Sequence, residues 1–470
     1  MLRSSIKNAI CWSLSALTVI GVGSGCSSYR AQPVDLTAFS QTWTARTPED
    51  VSVAAFADHL RQRGAIVPAV VDLSDGINLA EAELLALVFN PELHASRVRA
   101  GVATLDASVA GRWDDPAIGV DVLRALEGGP SPWTTLSMVS LSLPISGRLG
   151  LAKTHAERLA EVDRVALAMS EWAHIHVLRD AWVRWSATVE QQRMTTQFAS
   201  DVQALVIVAD QLQKAGEISI IATRAIRIAA ERAQVSAQEF AASADMQATG
   251  LRALMGFTPQ VPVQFQPTLR MSSDVRAQLT LEPLETENNS AAVVLGLARY
   301  QAAEAELRLE IRRQYPDLQL GLAFENDRGD RSLGPSFGFT IPLWNGNIRA
   351  ITRANAERAA HMADIQAAYV AAVHDRAQAT QVLADRTRRI TALESQIIPL
   401  VDAQVADVRR LAQLGDLDVA LVLQVLESAW LTRRDVVLLQ AEQTQAENRL
   451  IALHLPVWLL ENVPTTGDLP

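Results

Sequence analysis

The sequence predicts a mainly α-helical chain with a small membrane β-barrel, built as a duplicated half-molecule. Three observations carry this. In SFGFTIPLWNGNIRA, Ser336 to Ala350, the residues Phe337, Phe339 and Ile341 fall on one face, and Ser336, Gly338 and Thr340 fall on the other. That apolar-out, small-or-polar-in alternation belongs to a membrane barrel strand. Pro342 ends the strand, and a helical pattern starts just beyond Asn345, which can cap it. The junction recurs in VSLSLPISGRLGLA, Val139 to Ala152, with Pro144 and Ser146 in the equivalent places. The spacing is nearly constant: Pro116 and Pro316 lie 200 residues apart, Pro144 and Pro342 198, Gly216 and Gly415 199. A repeat this long is two copies of a large unit, not a stacked solenoid.

Residues 1–25 read as a signal peptide, with Arg3 and Lys7 ahead of an apolar run from Ala9 to Val22. The run falls short of the roughly 20 apolar residues a spanning helix needs. Small residues directly before Cys26 resemble a bacterial lipoprotein signal, in which Cys26 becomes the acylated (palmitate-bearing) first residue. Gly23 stands where that pattern has Leu, and an ordinary secretory signal is the alternative. The only other cysteine, Cys11, lies inside the signal, so no disulfide, thiolate metal site or catalytic cysteine is expected. A formal charge of −10 gives no basic nucleic-acid footprint.

Residues 26–76 read as an N-terminal tether with small helices, one of them at Val51 to Arg63. The first repeat spans 77–255. It opens with a helical stretch that Pro91 bends or restarts. Strands follow at about 117–126 and 134–145, joined by a Gly128 to Pro132 loop, and then a proline-free helix runs from Arg148 to Gln213. At 1.5 Å per residue such a rod is on the order of 100 Å long. It turns at a tip of about 212–219, where Gly216 suits a left-handed helix end, and returns to about Leu254. A proline-punctuated connector covers 256–289. The second repeat, 290–455, has strands at about 317–325 and 334–343 around an NDRGDRSLGP loop, a helix from Ile348 to Leu414, and a tip at about 410–418. Residues 456–470 are a C-terminal tail.

Four strands cannot close a barrel, and an open sheet edge in a bilayer leaves backbone groups unpaired at several kcal/mol each. The edges must therefore meet further copies: two chains give eight strands, three give twelve and room for a channel.

At this point the chain resembles the TolC-like outer-membrane efflux proteins, and its heavy-metal-efflux branch somewhat more than the multidrug branch. The resemblance runs from about Asn78 to Leu455 and rests on ALVFNPELHASR (Ala86 to Arg97), LPISGR (Leu143 to Arg148), FTIPLWNGN (Phe339 to Asn347) and the tips GEIS (Gly216 to Ser219) and LGDLD (Leu414 to Asp418). It implies a homotrimer with a twelve-stranded outer-membrane barrel and a periplasmic α-barrel. The protein would sit in the outer membrane of a Gram-negative bacterium, lipid-anchored through Cys26. It would be the passive exit duct of a tripartite efflux pump for small molecules or metal ions, working with a periplasmic adaptor and an inner-membrane pump such as an RND transporter. The exit duct of a type I secretion system and an adaptor-type lipoprotein are the alternatives. An adaptor needs one hairpin, and this chain has two. Carried over, Leu212, Gly216, Leu414 and Gly415 are the adaptor-docking tips; the tip glycines also read as plain helix ends. Family members often carry acids shortly after the second tip, but this chain has Leu421 and Gln424 there. Asp416, Asp418 and Glu427 are the nearest candidates for a periplasmic gate, and a largely apolar gate is the other reading.

Asp121, Gln319 and Glu325 alternate with the apolar strand residues and would line the barrel lumen. Trp133, Tyr315 and Trp344 flank strand ends, where aromatics anchor at the membrane interface. No cofactor, metal site or enzyme activity is expected. No GxSxG, HExxH or phosphate loop occurs, and His174 and His176, two apart on a helix, point about 200° away from each other.

Overall fold

The computed structural model describes residues 29–460 apart from 63, 66, 68–74, 125, 127–132, 281–286, 328–329, 340, 342–343 and 414–417. Cys26, the signal peptide, the Gly128 to Pro132 loop and residues 414–417 of the second tip lie outside the described residues. The chain divides into two units. The first, ending at Arg46, holds α1 (Leu36–Thr44), which Asp35 caps by accepting from the N–H groups of Thr37 and Ala38 at 2.9 and 3.0 Å.

The second unit starts with α2 (Val51–Gln62), α3 (Leu79–Phe89) and α4 (Pro91–Val109). Asn90 ends α3 and caps α4, its Oδ1 accepting from Glu92 and Leu93, so Pro91 restarts the helix instead of bending it. Strands β1 (Ala117–Arg124) and β2 (Trp133–Leu143) lead into α5 (Arg148–Ala215), and α6 (Ile220–Leu254) returns along it. The second half runs from a short α7 (Ser273–Ala277) through α8 (Ala291–Arg312), β3 (Leu318–Asp327), β4 (Asp330–Phe339) and α9 (Ile348–Ala392). A π-helical turn over Leu393–Ile397 joins α9 to α10 (Ile398–Gln413); α11 (Val419–Ala452) and α12 (Val457–Leu460) complete the chain.

The 68-residue α5 is the spine, with α4, α6, α8 and α11 packed along it. On α6 the buried positions Thr223, Ile226, Ala230, Ala233, Ala237, Ala244 and Leu251 follow three-four spacing, and the alanines let two helix backbones approach closely. The largest core cluster sits midway along α5, where Trp172, Ile175, Leu178, Trp182 and Trp185 meet α2, α3 and the connector. Trp182, Trp185 and Phe265 contact one another edge to face at 5.4–5.6 Å.

Several expectations are corrected here. The stretch from residue 51 on is no tether, because Val53, Ala57 and Leu60 present one helical face to the main core. The connector is packed, with Phe257 and Met271 buried and Ile77 bonded to Gln264 and Gln266 at 2.8 and 2.9 Å. The tail begins as a helix whose Leu459 is buried. The expected ten-residue loop between β3 and β4 is mostly strand, since the antiparallel pairing continues out to Asp327 and Asp330. The helix from Ile348 is interrupted, because Pro399 cannot donate its bond to the preceding turn and the wide π turn absorbs the mismatch.

Candidate functional site

The four strands form one antiparallel sheet in the order β1-β2-β3-β4, so the two halves share it through β2 and β3. Register decides what each face carries, since directly paired residues point the same way. Ile118, Val120 and Val122 pair with Val139, Ser137 and Thr135; Val139, Leu141 and Leu143 pair with Leu322, Leu320 and Leu318; these pair in turn with Pro335, Phe337 and Phe339. This face is mainly apolar, with Ser137, Thr135, Asn326 and Arg331 toward the end away from the helices, and it is exposed, with Ile118 71% and Phe337 73% accessible. The opposite face carries Gly119, Ser140, Gly321, Ser336, Gly334 and Gly338, with Asp121, Gln319 and Glu325 among them. Gly321 has no room for a side chain: a Cβ there would lie 2.4 Å from Ser336 Oγ and 3.1 Å from the Val139 carbonyl oxygen.

Of the three polar residues expected on that face, two come together. Asp121, Leu136, Glu325 and Ser332 make one continuous row, which puts the two carboxylates two strand spacings, about 10 Å, apart. Gln319 lies six residues along β3, about 20 Å away, in the row of Ser142 and Gly338.

The strand-to-helix junctions are locked differently from the sequence reading. The residue before each helix is left-handed, Gly147 at φ 75° and Asn347 at φ 57°, and neither makes a side-chain cap bond. Asn345 contributes only its backbone carbonyl, which accepts from Ile348 N–H at 2.9 Å. The chain turns so sharply here that tolerance of positive φ, not a side-chain acceptor, decides the residue. Arg148 then reaches across the halves, its Nη2 donating to Asp317 at 2.7 Å and to Asp114 at 3.3 Å. Those carboxylates hold its pKa above the usual arginine value, through the Asp317 hydrogen bond first. Asn347 donates to the Glu310 backbone oxygen at 2.9 Å and to its Oε2 at 2.6 Å. LPISGR contains Arg148, but no local pattern points to its partners 169 and 34 residues away.

At the other end of the helices, Gly216 closes α5 at φ 83°, with its N–H donating to Gln213 O at 3.1 Å and Glu217 N–H to Leu212 O at 2.9 Å. Ser219 caps α6. Leu212 packs on a cluster of Val206, Ala209 and Ile226 from the first hairpin and Val419 from the second, so the two hairpin ends are joined. Leu414, Gly415 and Asp416 lie outside the described residues. Asp418 caps α11, its Oδ1 accepting from Ala420 and Leu421 at 3.0 and 3.2 Å, which occupies the carboxylate locally. Glu427 is exposed on α11, beside a line of exposed Leu421, Gln424, Leu431 and Leu438. Two further apolar lines stay uncovered: Ile221, Ile228 and Val235 along α6, and Leu400 and Leu411 on α10.

His174 and His176 diverge as expected. His174 Nε2 meets the Leu254 carbonyl at 2.9 Å, and His176 is buried against Trp172 and Asn448. Among the described residues no group of three or more His, Cys, Asp or Glu could hold a metal ion, and no helix is long and apolar enough to cross a membrane.

No family model matches the chain, and no curated protein matches it in sequence. Solved structures do match in fold. The outer membrane protein VceC of Vibrio cholerae superposes with a TM-score of 0.67 at 18% identity, over 80% of this chain and 95% of VceC. CusC, described for its folding and transmembrane channel formation, gives 0.67 at 15%, over 83% and 97%. The MtrE outer membrane channel of Neisseria gonorrhoeae, in its open state, gives 0.66 at 13%, over 80% and 88%.

Proposed function

We propose that this chain, which has the fold of the TolC-like outer-membrane channels, is the passive exit duct of a tripartite efflux pump. Three copies close their sheets into a twelve-stranded barrel in the outer membrane of a Gram-negative bacterium, with the helices in the periplasm. The observation that carries the reading is the sheet: four strands, both edges unpaired in the chain, one face mainly apolar and the other mainly small or polar. In lipid such a sheet is stable only when closed. The aromatics support its placement: Trp133 flanks one end of the strands and Tyr315 and Trp344 the other, all exposed. The uncovered lines on α6 and α10 are the surfaces through which neighbouring copies continue the helical tube.

In this duct Asp121, Glu325 and Gln319 face the barrel lumen. Leu212 and Gly216, with Leu414 and Gly415, form the ends that meet a periplasmic adaptor, which links to an inner-membrane pump. The constriction is largely apolar, made by the Leu421 and Gln424 face of α11, with Glu427 the nearest acid among the described residues and Asp418 serving as a helix cap. Cys26 is the site of acylation. The cargo is a small molecule or metal ion that the pump selects.

The test is the protein extracted in mild detergent, examined by light scattering and then in planar bilayers. A trimer that conducts ions supports the duct. A monomer that leaves the membrane without detergent once Cys26 is replaced would refute the barrel.

A further inference from the structure

The sheet sorts charge by face at the end away from the helices. The outermost rows of the apolar face are Val122–Thr135–Asn326–Arg331 and, beyond it, Arg124–Trp133. The same end of the polar face carries Thr134, Asp327 and Asp330. Cations therefore cap the apolar face, and the anions of that end lie on the side that faces away from it. Arg124 lies over the Trp133 ring at 5.6 Å. Neither Arg124 nor Arg331 pairs with a carboxylate among the described residues, whereas Arg148, at the helix end of the strands, is neutralised by Asp317 and Asp114. Two guanidiniums at the edge of an apolar surface need an anion that is itself attached to an apolar body.

We propose that Arg124, Trp133 and Arg331 form a rim that binds the phosphate of an anionic lipid in the bilayer leaflet at this end. The inference rests on the barrel reading. Guanidinium matches phosphate in a bidentate fork, and the indole sits at headgroup depth beside it. Because β1 and β4 are the two edges of the sheet, closure brings the Arg331 strand of one copy beside the Arg124 strand of the next. A guanidinium from each then flanks every seam, and a shared phosphate relieves their repulsion. The rim thus selects lipid and ties neighbouring copies together.

The full chain is to be reconstituted in phosphatidylcholine nanodiscs doped with phosphatidylglycerol, and the lipid carried through mild delipidation counted by native mass spectrometry. The expected result is enrichment of phosphatidylglycerol over its bulk ratio, falling about fivefold for each arginine removed in Arg124→Gln and Arg331→Gln. In the Arg124→Lys/Arg331→Lys protein, which keeps the charges without the fork, enrichment falls less than in the Gln variants. The single variants stand in if a double Gln protein does not insert. Equal enrichment in wild type and the inserted Gln variants overturns the rim and leaves the duct intact. Displacement of the enriched lipid by inorganic phosphate reassigns the rim to a soluble anion and also overturns it. Failure of the wild-type chain to enter the bilayer overturns the barrel reading and the rim with it.

Discussion

Lowering the pH from 7 to 5 should destabilise this protein by a share that belongs to one side chain, His176. The residue is 8% exposed, and its ring stands edge to face against Trp172 at 4.3 Å. Asn448 Nδ2 donates to the His176 backbone oxygen at 3.1 Å and to Asp180 Oδ1 at 2.8 Å, which turns Asn448 Oδ1 toward the ring. His176 Nδ1 must then carry the proton, and it donates to that oxygen. Nε2 is left buried with no partner among the described residues. Burial, and then the Arg179 guanidinium, push the pKa down to about 3, against the Asn448 hydrogen bond. In the unfolded chain the ring titrates near 6.5. The folded pKa is the depressed one, so stability is full above about pH 6.5 and is lost as pH falls toward 3. Below 6.5 the unfolded state takes up a proton that the native state refuses. At about 1.4 kcal/mol per pH unit, the loss by pH 5 is roughly 2 kcal/mol. Urea unfolding of the detergent-solubilised protein at both pH values measures it. His176→Asn keeps an N–H donor for Asn448 and cannot titrate, so wild type should lose about 2 kcal/mol more than the variant. Losses equal to within about 0.5 kcal/mol would refute the assignment of the neutral ring.

Glu171→Ala should cost about 3–5 kcal/mol, because it leaves Arg97, with a 4% exposed side chain, charged and unpaired in the core; denaturant midpoints against wild type measure it. At Gly216 a Cβ would meet nothing within 4 Å, so the penalty is backbone alone. Gly216→Val should lose about 1–2 kcal/mol and weaken cross-linking to an adaptor hairpin, and Gly216→Asn should lose much less of both. Replacing Asp121 by Asn and Glu325 by Gln removes both carboxylates from one row and should move the reversal potential of the reconstituted channel away from cation preference, while Gln319→Ala leaves it unchanged.

What the sequence made legible is what local chemistry decides. Two-residue alternation located all four strands, because one residue of slip would have turned Leu318, Leu320 and Leu322 to the polar face. Gly216 announced a helix end because few residues accept its φ of 83°. The rest needed distant partners. Phe257 and Met271 lie among prolines, and only the packed core shows that this connector is not a loose linker. Asp317 gains a role only when Arg148, 169 residues earlier, arrives beside it. Asp418 looked available for a gate, but an acid directly before a helix is a cap as readily, and the first turn of α11 takes it. The break before Pro399 is hidden by helical periodicity on both sides, because a π turn disrupts only one local register.

Duplication did not yield two equivalent halves, and the difference bears on assembly. The spine α5 buries Trp172, Ile175, Trp182, Val202 and Ala209 along its length, because both halves pack on it. Its counterpart α9 buries only Ala354, Ala372, Ala379 and Ile390, and leaves Met362, Val370 and Val373 partly or largely exposed. Alanine burial contributes little to hold a 45-residue helix, since each methyl removes only a small apolar area from water. A long helix with so thin a core draws its stability from tertiary contacts, not from propensity. The chain alone supplies those contacts generously to α5 and sparingly to α9, and α6 also leaves Ile221, Ile228 and Val235 uncovered. In the closed ring of copies proposed above these would be surfaces left to meet, and assembly would supply α9 with contacts that the single chain does not.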